Sequence, residues 1–240
     1  MWEFGESLSF TWVMGGLARD NTSKKGVYSW LLEHWLEVAA ESRMPFDPLL
    51  WKEGPIASTY PSCMAVKAAQ EQADDGGYRY LRELREGLMC FRRKLDTTEA
   101  LVEAARGVGL GVERFRIDLG SNAIVEAFGA DLEDTRREGE RLPLPSVEFR
   151  SGDDGVHGVY GTASYDELRA AAIAAGAEPV TDERPDVKQA LTRFGRMATL
   201  EVEEVCGLPE PRAQAELWRL AAEWEVKPLR VLTGWLWELA

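Results

Sequence analysis

Cysteine and histidine are scarce in this chain. Among 240 residues there are three cysteines and two histidines, and the cysteines, Cys63, Cys90 and Cys206, are far apart. This odd, scattered set argues against a disulfide framework and does not give the paired spacing of a cysteine-type zinc site. This cysteine usage fits a reducing compartment best, so we expect a cytoplasmic protein. We expect no metal and no cofactor.

Long apolar runs and an excess of positive charge are also missing. No run of about 18 apolar residues exists, which argues against a transmembrane helix. Residues 1–6 carry two acids and lack the basic and apolar regions of a signal peptide. With 28 basic and 41 acidic side chains, the net charge is −13. Such a charge disfavours non-specific binding to nucleic acid or anionic membranes, so neither is an expected partner.

The chain does contain enough apolar residues to bury a core, at 45% of the sequence. Ser7–Met14 alternates, with Leu8, Phe10, Trp12 and Met14 on one side, which predicts a strand. From Val27 the apolar residues recur at helical spacing. Residues 27–139 are therefore predicted to form a block of about five helices.

Strand-like periodicity returns after this block. Ser146–Arg150 and Val156–Tyr160 are predicted to form a hairpin around the turn Ser151–Gly155. Ser164–Glu167 has the pattern of a capping box that opens a further helix. Residues 186–240 are predicted to form a last helical unit. The order indicates an α/β protein with an inserted helical domain.

Five segments carry a further signal: Phe10–Leu17, Ser58–Cys63, Ala65–Ala69, Leu84–Met89 and Leu144–Phe149. In this order they resemble the DsbA-like oxidoreductases of the thioredoxin superfamily, and the resemblance covers residues 2–178. The resemblance implies a thioredoxin-like core formed by residues 1–26 and 140–178. It also implies a helical insertion domain at residues 27–139 and a C-terminal helical module at residues 186–240. Its partner would be a thiol-containing protein or a small-molecule thiol.

The Cys-x-x-Cys motif of that family is absent from these residues, because no two cysteines lie within three positions of each other. The resemblance implies that the first strand and the motif lie upstream of Met1, or that an ancestor lost them. The implied function is thiol–disulfide exchange or isomerisation, in a chain without its redox motif, and whether the chain is an enzyme stays open. Without the first strand, neighbouring strand edges would be unpaired, which predicts marginal stability or association, including with a second copy.

Two other functions remain open at this stage. One is a relative of the kappa-class glutathione transferases, which share the helical insertion and use a serine at the lost position. The other is a non-catalytic binding protein that keeps the fold and uses its tail for protein contacts. The upstream coding sequence would separate the two enzyme alternatives.

The loop Leu144, Pro145 and Ser146 is the candidate substrate-binding site. By resemblance it matches the loop in which the family has a cis-proline that offers its backbone to an extended substrate. Proline is the residue for which a cis peptide bond costs little. An ordinary trans proline at a strand edge is the alternative. The preceding Arg141–Pro143 departs from the family pattern, and no catalytic residue is assigned.

Cys63 is the best remaining candidate for a reactive thiol, since Pro61 places it in the first turn of a helix. A packed, inert cysteine is the alternative. In the tail, Met197–Trp237 is similar to a winged helix-turn-helix that would direct Arg212 and Arg219 toward DNA. However, residues 186–240 carry seven basic and nine acidic side chains, a net of −2. This balance favours a packing or interaction module.

Overall fold

The computed structural model describes residues 1–22, 26–73, 75–137, 139–152 and 155–240. They divide into a small unit, residues 1–15 and 126–183, and a large unit, residues 16–125 and 184–240. The three-region division drawn from the sequence stays a prediction. The helices are α1 (Val27–Ser42), α2 (Leu50–Glu53), α3 (Tyr60–Gln70), α4 (Gly76–Met89), α5 (Thr98–Gly107), α6 (Val112–Leu119), α7 (Asn122–Asp134), α8 (Tyr165–Ala174), α9 (Val187–Phe194), α10 (Thr199–Cys206) and α11 (Glu210–Ala222). The strands are β1 (Arg136–Arg137), β2 (Glu140–Arg141), β3 (Ser146–Arg150), β4 (Val156–Tyr160), β5 (Met197–Ala198), β6 (Val226–Val231) and β7 (Gly234–Leu239).

The small unit is built around the β3–β4 hairpin. The two strands are antiparallel, with Ser146 opposite Tyr160 and Arg150 opposite Val156. Helix α8 packs on this hairpin, and Phe149 lies against a small core that includes Phe4. The predicted hairpin and the predicted helix are therefore confirmed, although two of the turn residues, at positions 153–154, lie outside the described residues.

The predicted strand at Ser7–Met14 is wrong. Residues 5–7 form a short 3-10 helix, Leu8 is extended, and residues 8–14 pair with no strand in the described part of the chain. At Met14 the N–H donates to a carboxylate oxygen of Asp131 over 2.7 Å. Alternating side chains predict an extended backbone, but a strand also requires a neighbour that completes the hydrogen-bond ladder.

The large unit contains α1 to α6, with a core formed by α3, α4 and α5. Tyr80 is fully buried and donates to the carbonyl of Leu101 over 2.9 Å. Thr97 caps α5 with its side chain, which accepts the N–H of Ala100 over 3.3 Å. The carboxylate of the neighbouring Asp96 accepts the N–H of Ala57 over 2.7 Å.

The C-terminal part of the large unit is not wholly helical, which corrects the prediction for residues 186–240. Its order is helix, short strand, two helices and two strands, and the antiparallel sheet runs β5-β7-β6. This is the order of a winged helix. The strands were missed because both faces of the sheet are covered, so buried residues occur at consecutive positions of β7 and obscure the alternation.

The two faces of this sheet contact different parts of the large unit. On one face, Met197 and Trp237 pack with residues of α9, α10 and α11. On the other face, Leu236 joins a cluster with Cys90, Met44 and other residues. The sheet therefore lies between the winged-helix helices and the helical block of residues 27–119.

Hydrogen bonds and ion pairs strengthen this second contact. The turn between β6 and β7 is held by Thr233, which accepts the N–H of Phe46 over 2.7 Å and donates its own N–H to the carbonyl of Phe46 over 3.1 Å. Arg82 on α4 lies between Glu86 and Glu201, with one nitrogen 2.7 Å from Glu201 Oε2. The winged helix is thus an integral part of the large unit.

No helix among the described residues has both the length and the apolar character needed to cross a bilayer.

Candidate functional site

The loop that carries the predicted substrate-binding residues lies in the small unit, between β2 and β3. Its start is fixed by the N–H of Leu142, which donates to the carbonyl of Thr135 over 2.8 Å. Its end is fixed by the carbonyl of Pro145, which accepts the N–H of Gly161 over 2.8 Å. Between them, the hydroxyl of Ser146 donates to the carbonyl of Pro143. Backbone bonds at both ends therefore hold this loop.

The Leu144–Pro145 peptide bond is cis, which confirms the prediction for this bond. Both side chains are exposed, and Leu144 keeps 46% of its surface. The glycine at position 15 lies directly against Leu144, because a Cβ there would be 2.9 Å from its Cδ1 atom. The loop and residue 15, at the end of the N-terminal segment, are therefore neighbours.

Strand β3 follows this loop and has one open edge. In the described part of the chain it pairs with β4 alone. Val147 keeps 37% of its surface, and Phe10 and Val13 in the N-terminal segment keep 43% and 42%. An open strand edge can pair with an added extended chain, whose side chains would then need apolar surface. The small unit supplies both features.

A charged cluster that the sequence reasoning missed lies on β3. Glu148 accepts hydrogen bonds from Arg137 over 2.9 Å, from Arg150 over 2.6 Å and from the hydroxyl of Tyr160 over 3.0 Å. The hydrogen bond from Arg150 lowers the pKa of the Glu148 carboxyl, with further lowering from Tyr160 and Arg137, against the opposing effect of burial. Glu148 and Tyr160 lie on one face of the hairpin. The hairpin predicted from the sequence already placed these two residues on the same face.

The cysteines do not form a redox pair. Cys90 is buried at the end of α4, where its Sγ contacts the carbonyl of Pro45 over 3.2 Å, and burial raises the pKa of its thiol to about 12. Burial likewise raises the pKa of Cys206 to about 11. Cys63 is half-buried as the fourth residue of α3, where its N–H already donates to the carbonyl of Thr59.

The two histidines lie in different elements. His34 lies at the margin of α1, with its ring stacked on that of Trp30. His157 lies opposite Phe149 in the hairpin. Within the described ranges, no group of three or more histidine, cysteine, aspartate or glutamate residues has an arrangement that could hold a metal ion.

Of the two arginines considered for DNA, Arg219 is paired with carboxylates, and Arg212 lines a groove that carboxylates also line. The Arg219 guanidinium bonds to the carboxylates of both Glu216 and Glu223. Arg212 lies on the wall of a groove of about 430 Å³ that Asp186 and Glu216 also line. The wing turn, which would otherwise face solvent, bonds to Phe46. These contacts agree with the packing interpretation of the tail.

Comparisons with known proteins place these observations in a family. A thioredoxin family model matches residues 3–168. The ClpXP adapter protein SpxH of Halalkalibacterium halodurans is 25% identical over 98% of this chain and 79% of its own length. The SpxH of Bacillus subtilis is 27% identical over 90% of this chain and 74% of its own. The SpxH of Shouchella clausii is 29% identical over 85% and 68%.

A solved structure agrees with the sequence comparison. The crystal structure of a candidate protein disulfide isomerase from Nitrosomonas europaea superposes with a TM-score of 0.56 at 18% identity, covering 64% of this chain and 76% of that one. The likeness is one of fold. The predicted thioredoxin-like fold class and the predicted resemblance are thereby confirmed, and this chain belongs to the thioredoxin family whose model spans residues 3–168.

Proposed function

We propose that this chain is a non-catalytic adapter, which binds an extended segment of a client protein and delivers that protein to a ClpXP protease. The observation that carries the proposal is the extent of the match to the ClpXP adapters. The family model ends at residue 168, whereas the similarity to one adapter covers 98% of the chain. The similarity therefore includes most of the winged helix, which a thioredoxin-fold redox enzyme does not require.

The state of the thiols supports binding rather than catalysis. Thiol–disulfide exchange needs a thiolate of lowered pKa and a second thiol nearby to resolve the mixed disulfide. Burial raises the pKa of Cys90 and Cys206 instead. Exchange by this chain would depend on Cys63 alone. The oxidoreductase function implied by the DsbA-like resemblance is thus the second candidate.

The proposed client site is the loop Leu144, Pro145 and Ser146 together with the open edge of β3. An extended client segment would add a strand to β3 through backbone hydrogen bonds, and its apolar side chains would contact the exposed Leu144 and Val147. This mode needs no cofactor and no reactive group. A cytoplasmic location, inferred from the three thiols, agrees with it and belongs to the same proposal.

The test is a measurement of protein half-lives in the source organism. Deleting the gene should lengthen the half-life of the client protein at least severalfold when ClpX is present, and should have no effect in a strain without ClpX. The wild-type gene and Cys63→Ser should both restore turnover. Leu144→Asp should not, whereas Ile173→Asp, a matched change at a residue of similar exposure on α8, should restore it.

Each outcome has a separate meaning. If no half-life depends on the gene through ClpX, the adapter function is wrong. If Leu144→Asp restores turnover as well as the wild type does, the adapter function stands and the site is wrong. If the purified chain reduces insulin with dithiothreitol faster than background, and Cys63→Ser abolishes that activity, the chain is catalytic and the non-catalytic proposal fails.

A further inference from the structure

Three tryptophans of the winged helix pack together, and one of them stays partly exposed. The ring of Trp218 on α11 meets the rings of Trp237 and Trp235 on β7 edge-on, at centroid distances of 5.0 and 5.2 Å. Trp237 is fully buried, whereas Trp218 keeps 40% of its surface exposed. Packing against the core therefore fixes the position of Trp218 and leaves part of its side chain accessible to a partner.

A cation lies beside these rings. The guanidinium carbon of Arg230, on β6, lies 5.0 Å from the centroid of the Trp235 ring. The guanidinium donates to the carbonyl of Gly234 over 3.2 Å and to the carbonyl of Leu232 over 3.3 Å. It has more N–H donors than these two hydrogen bonds use. The exposed Arg230 is therefore held in place by the ring and the two carbonyls, which leave its charge in full.

The surroundings of Arg230 are unusual for a chain with a net charge of −13. Arg196 and Arg219 in the same winged helix each pair with two glutamates. In the ranges that the structure describes, no carboxylate pairs with Arg230, whose hydrogen bonds go to backbone carbonyls. The neighbours of Trp218 on the surface of α11, three and four positions away, are also without acids: they are Gln214, Ala215, Ala221 and Ala222. This surface therefore combines an apolar ring with a positive charge.

The turn between β6 and β7 completes this surface. Leu232 in the turn keeps 48% of its surface exposed. The hydroxyl oxygen of the neighbouring Thr233 accepts the N–H of Phe46, and the N–H of Thr233 donates to the carbonyl of Phe46, so the turn is fixed. A surface that already has its binding geometry loses less conformational entropy when a partner binds. We call Trp218, Arg230, Leu232 and Trp235 the tryptophan platform.

We propose that the tryptophan platform is a docking site for a short acidic segment of a partner protein. An apolar side chain of that segment would pack on the exposed part of Trp218, and an aspartate or glutamate beside it would pair with Arg230. Nucleic acid is disfavoured because its backbone is bound by several cations, whereas the platform has one. A second copy is disfavoured because two chains of net charge −13 repel each other. The proposal does not rest on the adapter function, since docking here requires neither ClpX nor the loop at residues 144–146.

The test measures the fluorescence anisotropy of a fluorescein-labelled peptide, in which leucines alternate with aspartates, with the full chain. A matched peptide with asparagine in place of every aspartate should bind at least severalfold more weakly. Arg230→Glu should weaken binding of the aspartate peptide about tenfold, the loss expected for a central arginine. Arg116→Glu, the same charge change at an exposed arginine of α6, is the matched control and should have a smaller effect.

The aromatic part of the platform has its own variant. Trp218→Ser should also weaken binding about tenfold. Trp30→Ser is the matched control, at an exposed tryptophan of α1 that likewise stacks on a neighbouring ring, and it should leave binding unchanged. Far-ultraviolet circular dichroism shows whether each variant keeps its helices, and Arg230→Glu tests the same site without removing a contact to the buried Trp237.

Several results would overturn the proposal. One is failure of the aspartate peptide to bind the wild-type chain, and another is equal binding of the asparagine peptide. Equal losses for Arg230→Glu and Arg116→Glu would show that binding follows net charge and is not located at the platform. If a single-stranded oligonucleotide binds more tightly than the aspartate peptide and displaces it, the ligand is a nucleic acid. If light scattering shows a dimer that Arg230→Glu converts to a monomer, the occupant is a second copy and not an acidic partner segment.

Discussion

Removal of the Arg82 guanidinium should destabilise the whole large unit and not only its C-terminal part. Arg82 on α4 keeps 21% of its side-chain surface and pairs with Glu86 over 2.6 Å and with Glu201 of α10. It also donates to the carbonyl of Arg196 over 2.7 Å. Arg82→Ala would leave three acceptors short of a donor in a largely dehydrated contact.

The magnitude follows from the burial and from what remains. Breaking a buried ion pair by removing one partner costs about 3–5 kcal/mol. Arg82 retains some exposure, and Arg196 still pairs with Glu86 over 2.8 Å, so we expect a loss at the low end, about 3 kcal/mol. For a unit of this size the corresponding fall in Tm is roughly 6–12 °C.

The assay is thermal and urea unfolding followed by tryptophan fluorescence, with Arg219→Ala as the control. Arg219 also pairs with two glutamates, but on the exposed surface of α11, where ion pairs contribute little to stability. The expected result is a lower midpoint for Arg82→Ala and an unchanged one for Arg219→Ala. Equal midpoints for the two variants would refute the reasoning. A separate, earlier unfolding transition of the winged helix in Arg82→Ala would also refute it.

Two further predictions follow from the pKa shifts. At pH 8 a thiol reagent should modify Cys63 in the native chain much faster than Cys90 or Cys206, because the thiols of Cys90 and Cys206 are protonated and buried. In the denatured chain all three cysteines should react at similar rates. Rapid labelling of Cys90 in the native chain would contradict the structure. Because the folded-state pKa of Glu148 is lowered, its ion pairs stabilise the hairpin above the unfolded value of about 4.3, and this stabilisation is lost as the pH falls below that value. Glu148→Gln should reduce the acid dependence of the unfolding midpoint, and an unchanged pH profile would contradict the shift.

Local signals in the sequence located the elements that are set by neighbouring residues. The capping box predicted at Ser164 and Glu167 is present, with the Ser164 side chain and the Glu167 carboxylate each accepting a backbone N–H. The β3–β4 hairpin was also predictable, because alternation acts over a few residues. The Pro145 bond was predictable because the segments around it resembled a known family.

Features that depend on distant contacts were not predictable. Apolar and polar side chains alternate from Ser7 to Met14 as they do in a strand, but this pattern does not indicate whether a partner strand is present. The strands of the winged helix were hidden because β6 and β7 contact residues of α4 and the chain near Phe46, far away in sequence. The cluster around Glu148 required three partners, one of them eleven residues away. The fold class could thus be predicted from local pattern and family resemblance, whereas the arrangement of the site depends on long-range packing.

The contact of Leu236 with the helical block has a consequence for the order of events during synthesis. Met44, Met89 and Cys90 leave the ribosome long before β7, whose Leu236 covers them. Their apolar surface therefore stays open while the intervening chain is made, a period in which a chaperone could bind it. Expression of a fragment that stops at residue 168 would make that temporary state permanent, so work on this protein should keep β7 attached.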